Sequence, residues 1–435
     1  MITSDLHILG GGPAGLTAAH YAHKRGLTVR VYEAGAETGG NCRTLQHGEF
    51  RFDTGAHRVH TKDAEVTREI RSLLGDDLLE VDAPSRIVFG GKRLRFPLSP
   101  RDILRGLSTG RLLRIAFEIL TRKPRRTPFD NFQDLAVAHY GKTLAGLFLL
   151  GYTRKLWGRN PADLSAAVAG GRLAGLDAKT FLLARFLRRD RHLDGVFLYP
   201  KRGIGTLFQS LESRLPDGSV RTDSRVTRIR HERDTIVAIT LNGTEEIPTT
   251  RVISTLPLPA FLRVLDPAPP PYILALAESI AFRNLVLCVL FLDQTQYSDN
   301  ASLYYPDPEI PFTRLYEPRN RSLFMAPPGQ TCIVLEIPCN AQDAVWTEPD
   351  VSLIARMLPY LKAHDRSETL KIVEAVVHRV SHAYPILEKG IEVRVQTLLD
   401  YCSRFSNLRL TGRNAIFRYA HIHDMFKAGR EVVEG

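Results

Sequence analysis

The sequence predicts an α/β fold: a Rossmann-type parallel-sheet domain with an inserted α+β substrate domain and a helical block. Three observations support this prediction. Residues 6–32 run from an apolar strand through a glycine-rich turn and a helix into a second strand. Residues 101–123 and 131–150 carry apolar side chains at helical spacing, whereas β-rich runs follow after residue 196. A glycine-led tail near residue 412 is then expected to complete the first domain.

The Rossmann-type domain is predicted to be discontinuous, comprising residues 1–95, 196–268 and 390–435. Residues 96–195 are expected to form the helical block and residues 269–389 the β-rich substrate-binding domain, with a proline-rich run as the boundary. The apolar pattern further predicts helices at 64–75 and 353–363 and a meander of strands at 225–229, 236–241 and 251–255. It predicts β-rich runs at 282–292, 312–316 and 331–337. Near the C-terminus, it predicts a strand that ends after 408 and leads into a helix near Asp424.

Composition indicates an ordinary folded protein with a basic surface. The 435 residues are 44% hydrophobic and 24% charged, and the net charge is +11. This charge favours anionic partners such as nucleotides, phosphorylated substrates or acidic lipids. The five cysteines form no CxxC pair and are expected to be buried thiols in a reducing compartment. Apolar runs fall short of the roughly 18–20 residues of a membrane span, and no signal peptide is recognisable, so we expect a cytoplasmic protein.

A dinucleotide-binding fingerprint lies at the first turn, where residues 10–15 read GGGPAG and fit GxGxxG. The first glycine allows the tight turn, the second lets backbone N–H groups approach a pyrophosphate, and the third permits close helix–strand packing. Glu33 falls 18 residues beyond Gly15, at the end of the second strand, where a carboxylate binds ribose hydroxyls. The cofactor-binding residues predicted here are Gly10, Gly12, Pro13, Ala14, Gly15 and Glu33.

Two further motifs indicate which dinucleotide is bound. Residues 39–44 read GGNCRT and resemble the GGxxR(T/S) stretch of the FAD-dependent amine oxidase and protoporphyrinogen oxidase superfamily. Residues 411–414 read TGRN and resemble the second FAD motif of that superfamily. The resemblance implies FAD and not NAD, and we expect the FAD to be non-covalent because no His or Cys lies in an evident flavin-linking context. The further FAD contacts that it implies are Gly40, Asn41, Arg43, Val226, Gly412, Arg413, Asp424 and Met425.

Within this superfamily, four segments resemble the UDP-galactopyranose mutases: 55–61 (GAHRVHT), 151–158 (GYTRKLWG), 311–317 (PFTRLYE) and 419–425 (YAHIHDM). Two departures oppose a mutase activity. The mutases' RIPVR segment is missing, and Leu156 replaces the glutamine of their GYTxKQWG segment. Residues 199–207 (YPKRGIGTL) instead resemble a YPxxGxxxL stretch found in the redox members.

The resemblance also implies which residues act on a substrate. The implied catalytic residues are His57, Arg58 and Arg314, and the implied substrate-binding residues are His60, Tyr152, Trp157, Tyr316 and Tyr419. Structural alternatives stay open. The histidines can be loop residues that bond the backbone, Arg314 can pair with nearby Glu317, and the aromatic residues can belong to the core. No metal site is predicted, because His421 and His423 lack a third ligand at suitable spacing.

A basic stretch spans residues 101–126, with eight basic and two acidic residues among apolar ones. It fits a helix on a membrane surface, but the interpretation favoured by the sequence is a solvated basic face that covers a core. Nucleic acid is not an expected partner, because no recognition motif is present.

The leading functional hypothesis is a FAD-dependent oxidoreductase, a dehydrogenase or oxidase, that transfers a hydride from a small substrate to flavin N5. The substrate is expected to be anionic or an intermediate of a biosynthetic pathway. One alternative is a sugar-nucleotide mutase similar to UDP-galactopyranose mutase, which uses reduced FAD without net redox. The other is a non-enzymatic binder resembling the Rab GDP-dissociation inhibitors, which the intact fingerprint with Glu33 disfavours.

Overall fold

The computed structural model describes residues 4–96, 98, 100–121, 128–172, 196–365 and 370–434. The strands are β1 (Leu6–Leu9), β2 (Val29–Tyr32), β3 (Thr44–His47), β4 (Phe50–Asp53), β5 (Leu78–Val81), β6 (Ser85–Phe89), β7 (Lys92–Phe96), β8 (Phe197–Pro200), β9 (Val220–Arg221), β10 (Val226–Glu232), β11 (Thr235–Leu241), β12 (Glu245–Pro248), β13 (Val252–Ser254), β14 (Leu265–Asp266), β15 (Phe282–Leu292), β16 (Ser302–Tyr304), β17 (Arg314–Tyr316), β18 (Thr331–Cys339), β19 (Ile372–Pro385) and β20 (Leu408–Leu410). The helices are α1 (Pro13–Lys24), α2 (Ala64–Leu74), α3 (Pro100–Gly106), α4 (Thr109–Leu120), α5 (Phe132–Tyr140), α6 (Lys142–Leu144), α7 (Gly151–Trp157), α8 (Gly205–Glu212), α9 (Leu258–Arg263), α10 (Pro271–Glu278), α11 (Ala344–Thr347), α12 (Asp350–Asp365), α13 (Ile391–Ser403) and α14 (Ile422–Glu434).

The first sheet is parallel and has the order β20-β13-β1-β2-β9. Strand β1 is buried along its whole length, as expected for a parallel strand covered on both faces. The prediction that residues 251–255 belong to a meander is wrong, because β13 lies between β1 and β20. All three residues of β13 are buried, so the strand needs cover on both faces, which this position provides.

A second sheet, β12-β11-β10-β14, contains the antiparallel strands predicted at 225–229 and 236–241. The largest sheet has the order β19-β15-β18-β17-β16-β6-β7. It confirms the β-rich character predicted for residues 282–337. Residues 85–96 differ from the domain division expected from the sequence, because β6 pairs with β16 and thus joins this sheet. The other domain boundaries stay predictions.

The helical block packs on the β6–β7 hairpin. Ile103, Leu107, Ile115, Leu144 and Phe148 form one apolar cluster with two hairpin residues, Ile87 and Leu94. Parts of the predicted block, residues 122–127 and 173–195, lie outside the described residues. All five cysteines are buried and free, as predicted. In the parts of the chain that the structure describes, no helix combines the length and apolar character needed to cross a bilayer.

The C-terminal helix α14 returns to pack on α1, the helix of the fingerprint. Thr17 Oγ1 of α1 donates to the carbonyl oxygen of Met425 at 3.1 Å. A Cβ on Gly429 would lie 2.8 Å from Thr17 Cβ, so a glycine is needed for this close approach. Both ends of the chain therefore form one side of the Rossmann-type domain.

Candidate active site

The GGGPAG turn has the geometry of a dinucleotide-binding fingerprint. Gly10 adopts φ +102°, and a Cβ on Gly15 would lie 1.9 Å from the Gly10 carbonyl oxygen. Helix α1 then begins at Pro13, whose missing N–H costs nothing at this position. The turn thus brings the N-terminus of a 12-residue helix to the end of β1, where its free N–H groups and dipole favour a pyrophosphate.

Glu33 follows β2 and turns its carboxylate toward this loop. Oε2 accepts a hydrogen bond from the Gly11 N–H at 2.8 Å, and Oε1 accepts one from the Gly35 N–H at 2.9 Å. The Ser224 N–H donates to the Glu33 carbonyl oxygen, so the segment that leads into Val226 lies beside it. These contacts bring the predicted ribose and adenine ligands of the cofactor together.

Substituting Glu33 with alanine is expected to weaken FAD binding by about ten-fold to a hundred-fold, because hydrogen bonds to a charged group contribute roughly 1.5–3 kcal/mol. Titration of the flavin-free protein with FAD, followed by fluorescence, measures the change. Glu49→Ala is the control, since Glu49 is an exposed carboxylate in the turn between β3 and β4. Unchanged FAD affinity in Glu33→Ala would show that another residue holds the ribose.

The two later FAD motifs meet the fingerprint in space. A Cβ on Gly40 would lie 3.2 Å from Gly12 Cα, and a Cβ on Gly412 would lie 2.7 Å from Ala14 Cβ. Arg43 Nε and Asn414 Oδ1, one from each motif, are buried without a hydrogen-bond partner among the described residues. Buried polar atoms normally have partners, so these two indicate a missing polar ligand. The residues at this site therefore fit FAD.

The residues that follow the last FAD motif complete this region. Arg413 Nη2 donates to the Ala383 carbonyl oxygen at 2.6 Å, and its guanidinium lies over the Tyr384 ring. Asp424 lies in the first turn of α14, where it accepts from the His421 N–H at 2.7 Å. Burial acts to raise the pKa of Asp424, but hydrogen bonds from His423 and from the His421 N–H outweigh it and hold that pKa at about 2.

His57 lies in the loop after β4, held against the glycine pair of the second motif. Its Nε2 donates to the Asn41 carbonyl oxygen at 2.8 Å, and its Nδ1 lies 3.9 Å from Cys42 Sγ. Burial, together with the charges of Arg413 and Arg314, lowers the pKa of His57 to about 3. The imidazole is therefore neutral near pH 7 and cannot serve as a cationic proton donor there.

This depressed pKa predicts that acid destabilises the protein through His57. Between the unfolded value of 6.5 and the folded value of about 3, the unfolded chain binds the proton and the folded chain does not. The free energy of unfolding then falls by up to about 1.4 kcal/mol per pH unit as pH decreases. In urea titrations, the stability advantage of wild type over His57→Gln should shrink by about 2–3 kcal/mol from pH 7 to pH 4.5. A constant difference would contradict the shift.

Arg314 forms a buried bidentate ion pair, but with Glu336. Its Nε and Nη2 each donate to a different Glu336 carboxylate oxygen at 2.8 Å. Burial acts to lower the pKa of Arg314, but Glu336 outweighs it and raises that pKa well above its usual value. Glu336 Oε1 also accepts from the Ala56 N–H at 2.9 Å, which connects the pair to the His57 loop.

Glu317, the alternative partner that the sequence suggested for Arg314, is engaged elsewhere. Its carboxylate accepts from the backbone N–H groups of Tyr297 and Ser298, both at 2.9 Å, and from Thr331 Oγ1 at 2.8 Å. Burial raises the pKa of Glu317 to about 7. The expected Arg314–Glu317 pair is therefore wrong. A role for Arg314 toward a substrate stays a prediction, and it would use Nη1, since Glu336 holds the other two nitrogens.

The predicted aromatic residues differ in burial: Tyr316 and Trp157 are buried, whereas Tyr152 is half-buried. Tyr316 is 1% exposed, and its OH donates to the Asp53 carbonyl oxygen, so its predicted contact with substrate is wrong and its role is structural. Trp157 is also buried, and its ring lies 6.0 Å from that of Tyr384 and 6.4 Å from that of Tyr419. Tyr152 is half-buried, with its ring 6.0 Å from that of Tyr304.

The two remaining predicted residues are His60 and Arg58. His60 is half-buried, and its ring lies 5.7 Å from that of His421 and 6.3 Å from that of His423. Arg58 packs over the Phe197 ring and donates to Ser85 Oγ at 2.6 Å, on the side of the β5–β8 pair. The contacts of Arg58 explain its position structurally, and its catalytic role stays a prediction.

A buried polar network that sequence reasoning missed centres on Asp53. Its carboxylate accepts from Tyr199 OH at 2.6 Å, from Thr44 Oγ1 at 2.7 Å and from the Ile204 N–H at 3.0 Å. Burial raises the pKa of Asp53 although these hydrogen bonds oppose the shift. Arg321, also buried, donates to the His57 carbonyl oxygen at 2.5 Å. No motif marked Asp53 or Arg321, but Asp53 is the last residue of strand β4, directly before the loop that contains His57.

Lys155 is a second residue that the sequence did not single out. Its ammonium donates to the carbonyl oxygens of Tyr305, Asp307 and Phe312 at 2.7–2.9 Å. Burial lowers the pKa of Lys155 to about 7. The three carbonyl oxygens accept all three hydrogen bonds only from the protonated ammonium form. The side chain thus fixes α7 to the segment that leads into Arg314.

The fold and these contacts define a flavoprotein with a Rossmann-type dinucleotide site. The family model described as flavin containing amine oxidoreductase matches residues 13–397. The chain belongs to this family, which confirms the superfamily, the enzyme class and the FAD cofactor that the sequence predicted.

The curated relatives carry different enzyme names, and each matches only part of the chain. The chain is 40% identical over 81 residues to a ferredoxin–NADP reductase of Streptococcus equi subsp. zooepidemicus (18% of this chain, 24% of the relative). It is 25% identical over 168 residues to mitochondrial protoporphyrinogen oxidase of Nicotiana tabacum (36% and 33%). The chain thus matches a third or less of these relatives' lengths. Reduced UDP-galactopyranose mutase has the same fold, with a TM-score of 0.85, 20% identity and coverage of 99% of this chain and 95% of that one.

Proposed function

We propose that the chain is a FAD-dependent dehydrogenase or oxidase that removes a hydride from a small substrate. The observation that carries this proposal is the contact of Gly412 with Ala14 and of Gly40 with Gly12, which joins three FAD motifs into one site. The bond to be broken is a C–H bond adjacent to nitrogen, oxygen or an alkene. FAD supplies the chemistry when bound, since its N5 position accepts the hydride and the electrons then pass to oxygen or another acceptor.

The chain's own residues would orient the substrate and exclude water. Neutral His57, fixed by the Asn41 carbonyl oxygen, offers a rigid surface in the loop after β4 and supplies no proton at pH 7. The Arg314–Glu336 pair holds the same loop through the Ala56 N–H. Tyr384 and Tyr419, whose rings are near-parallel at 6.4 Å, add an apolar wall.

The segment that resembles the redox members supports a redox reaction. Tyr199 and Ile204 both bond the Asp53 carboxylate, and the Gly205 N–H donates to Thr44 Oγ1 of the second FAD motif at 2.8 Å. Helix α8 therefore begins directly against that motif. A segment packed against the second FAD motif in this way would help to keep water from a bound flavin during hydride transfer.

An anionic substrate is the class we favour. Arg413, Arg314 and Arg321 all lie close enough to His57 to lower its pKa, and Arg314 is paired with the Glu336 carboxylate. The excess of positive charge favours a carboxylate or phosphate group on the substrate.

The test is anaerobic mixing of the oxidised holoenzyme with a panel of amines, alcohols, polyprenyl intermediates and sugar nucleotides, while absorbance of the flavin band is recorded. A substrate that is turned over should bleach the band, because its electron pair ends on the flavin. Re-admission of oxygen should restore the band if the enzyme is an oxidase. A purified, FAD-reconstituted protein that stays colourless would overturn the proposal and favour a non-enzymatic binder.

A sugar-nucleotide mutase is the second candidate, and a specific set of contacts favours it. The mutase-like segments touch one another: Lys155 of one bonds the Phe312 carbonyl oxygen of another, and Ala56 of the third bonds Glu336, the partner of Arg314. Dithionite-reduced enzyme that converts a UDP-hexopyranose to its furanose form, combined with no bleaching of oxidised enzyme, would replace the oxidoreductase proposal with this one.

A further inference from the structure

Helix α4 has two apolar faces, and only one of them packs against the protein. Leu112, Ile115 and Ile119 face the cluster on the β6–β7 hairpin. Leu113, Phe117 and Leu120, spaced at i, i+4 and i+7, share another face. Their exposed fractions are 67%, 65% and 85%, respectively. The described part of this stretch does expose basic residues, Arg105, Arg111 and Arg114, over an apolar cluster, as expected, but apolar side chains share the solvent side.

Two elements earlier in the chain also expose apolar side chains. Leu104 of α3 is 59% exposed, and Phe96 at the end of β7 is exposed as well. Single exposed apolar residues are common on protein surfaces, but contiguous patches mark interaction sites. Leu113, Phe117 and Leu120 share one exposed helix face and form such a patch, which we call the α4 surface.

Exposed basic residues lie on α4 and on the two elements that precede it, β7 and α3. The exposed ones in residues 92–120 are Lys92, Arg93, Arg95, Arg105, Arg111 and Arg114. Four of them, Lys92, Arg93, Arg95 and Arg105, line a depression of about 370 Å³ together with Arg86, Leu94 and Asp102. The described acidic residues of this stretch, Asp102 and Glu118, are half-buried, and Glu118 accepts from the Thr143 N–H at 2.9 Å.

We propose that the α4 surface docks the protein on an anionic lipid bilayer. Apolar side chains flanked by arginines are the composition of helices that lie in the plane of a membrane interface. The apolar residues would enter the acyl boundary, while the arginine and lysine side chains reach the lipid phosphates. The contact is peripheral, and it is consistent with the finding that no described helix has the length and apolar character of a membrane span. A protein partner would also bury apolar residues, but an excess of basic side chains with no exposed acidic one in residues 92–120 matches an anionic lipid surface better.

The test is co-sedimentation of the full-length holoprotein with vesicles of pure phosphatidylcholine or of phosphatidylcholine with 30% phosphatidylglycerol. We expect at least ten-fold tighter binding to the anionic vesicles, and we expect 0.5 M NaCl to remove most of this difference. The triple variant Leu113→Ser/Phe117→Ser/Leu120→Ser should lose at least ten-fold in affinity. The matched control is Tyr272→Ser/Val351→Ser/Val393→Ser, three side chains that are 64%, 81% and 73% exposed on other helices; it should bind like wild type.

A charge variant, Arg111→Glu/Arg114→Glu, tests the same surface without changing its apolar residues. It should lose the preference for anionic vesicles while it keeps the flavin spectrum of wild type, which reports folding. Wild type that does not sediment with anionic vesicles, or a triple variant that binds them as wild type does, would overturn the proposal. So would a dimer in sedimentation velocity that the triple variant dissociates, because a second copy of the chain would then be the occupant.

Discussion

Replacing Glu336 by glutamine is expected to lower the free energy of unfolding by up to about 3–5 kcal/mol, since Arg314, whose side chain is only 18% exposed, would lose its counter-charge. Glu336 is 2% exposed, and its two oxygens accept from Arg314 Nε, Arg314 Nη2 and the Ala56 N–H. A glutamine side chain keeps one acceptor oxygen, but its NH2 group is a donor and would face the Arg314 guanidinium, which is also a donor. The loop of His57 loses its fixed partner at the same time, so substrate turnover should fall as well.

Urea unfolding at pH 7 measures this effect. The double variant Arg314→Met/Glu336→Gln should recover a large part of the lost stability, because it removes the unpaired charge together with its partner. Glu317→Gln is the matched control in the same sheet region. Its carboxyl has a pKa of about 7 and accepts from neutral donors, so its replacement leaves no arginine unpaired. A Glu336→Gln protein as stable as wild type would show that the ion pair contributes nothing net.

The partner of Arg314 illustrates which parts of the site sequence can predict. Proximity in sequence suggested Glu317, but residues three apart in an extended chain point to opposite faces. Glu336 is the cross-strand neighbour of Arg314 in the β17–β18 pair, so the two side chains share a face. Strand register fixes this pairing, and no local pattern in either strand encodes the register.

The cofactor site could be predicted because its motifs act locally. Gly10, Gly15 and Glu33 belong to one strand–turn–helix–strand unit whose geometry follows from the spacing of its residues. The helical block could not be predicted as well. Helical spacing identified α4, but it could not decide which apolar face is covered. The β6–β7 hairpin covers one face, and this hairpin belongs to a sheet whose other strands lie far along the sequence. Composition also could not separate Tyr316, which is core, from half-buried Tyr152.

The substitution Gly412→Val should abolish stable FAD binding. Gly412 adopts φ +92°, where an L-residue is strained, and any Cβ there would lie 2.7 Å from Ala14 Cβ. Strain of about 1–2 kcal/mol and overpacking of about 1–3 kcal/mol would both act on the contact between the two ends of the chain. We expect FAD affinity to fall by more than about 100-fold and the purified protein to be colourless.

Two variants separate crowding at Ala14 from backbone strain. Gly390→Val is the control for strain, because Gly390 adopts φ +75° and a Cβ there meets no atom within 4 Å among the described residues; this variant should stay yellow. Ala14→Gly removes the methyl group that the new Cβ would meet, so Ala14→Gly/Gly412→Ala should bind FAD more tightly than Gly412→Ala alone. Absorbance of the purified proteins and FAD titration measure both effects. Equal affinity in these last two proteins would mean that the close approach of Gly412 to Ala14 is not what requires a glycine, and the role of this contact in closing the FAD site would have to be abandoned.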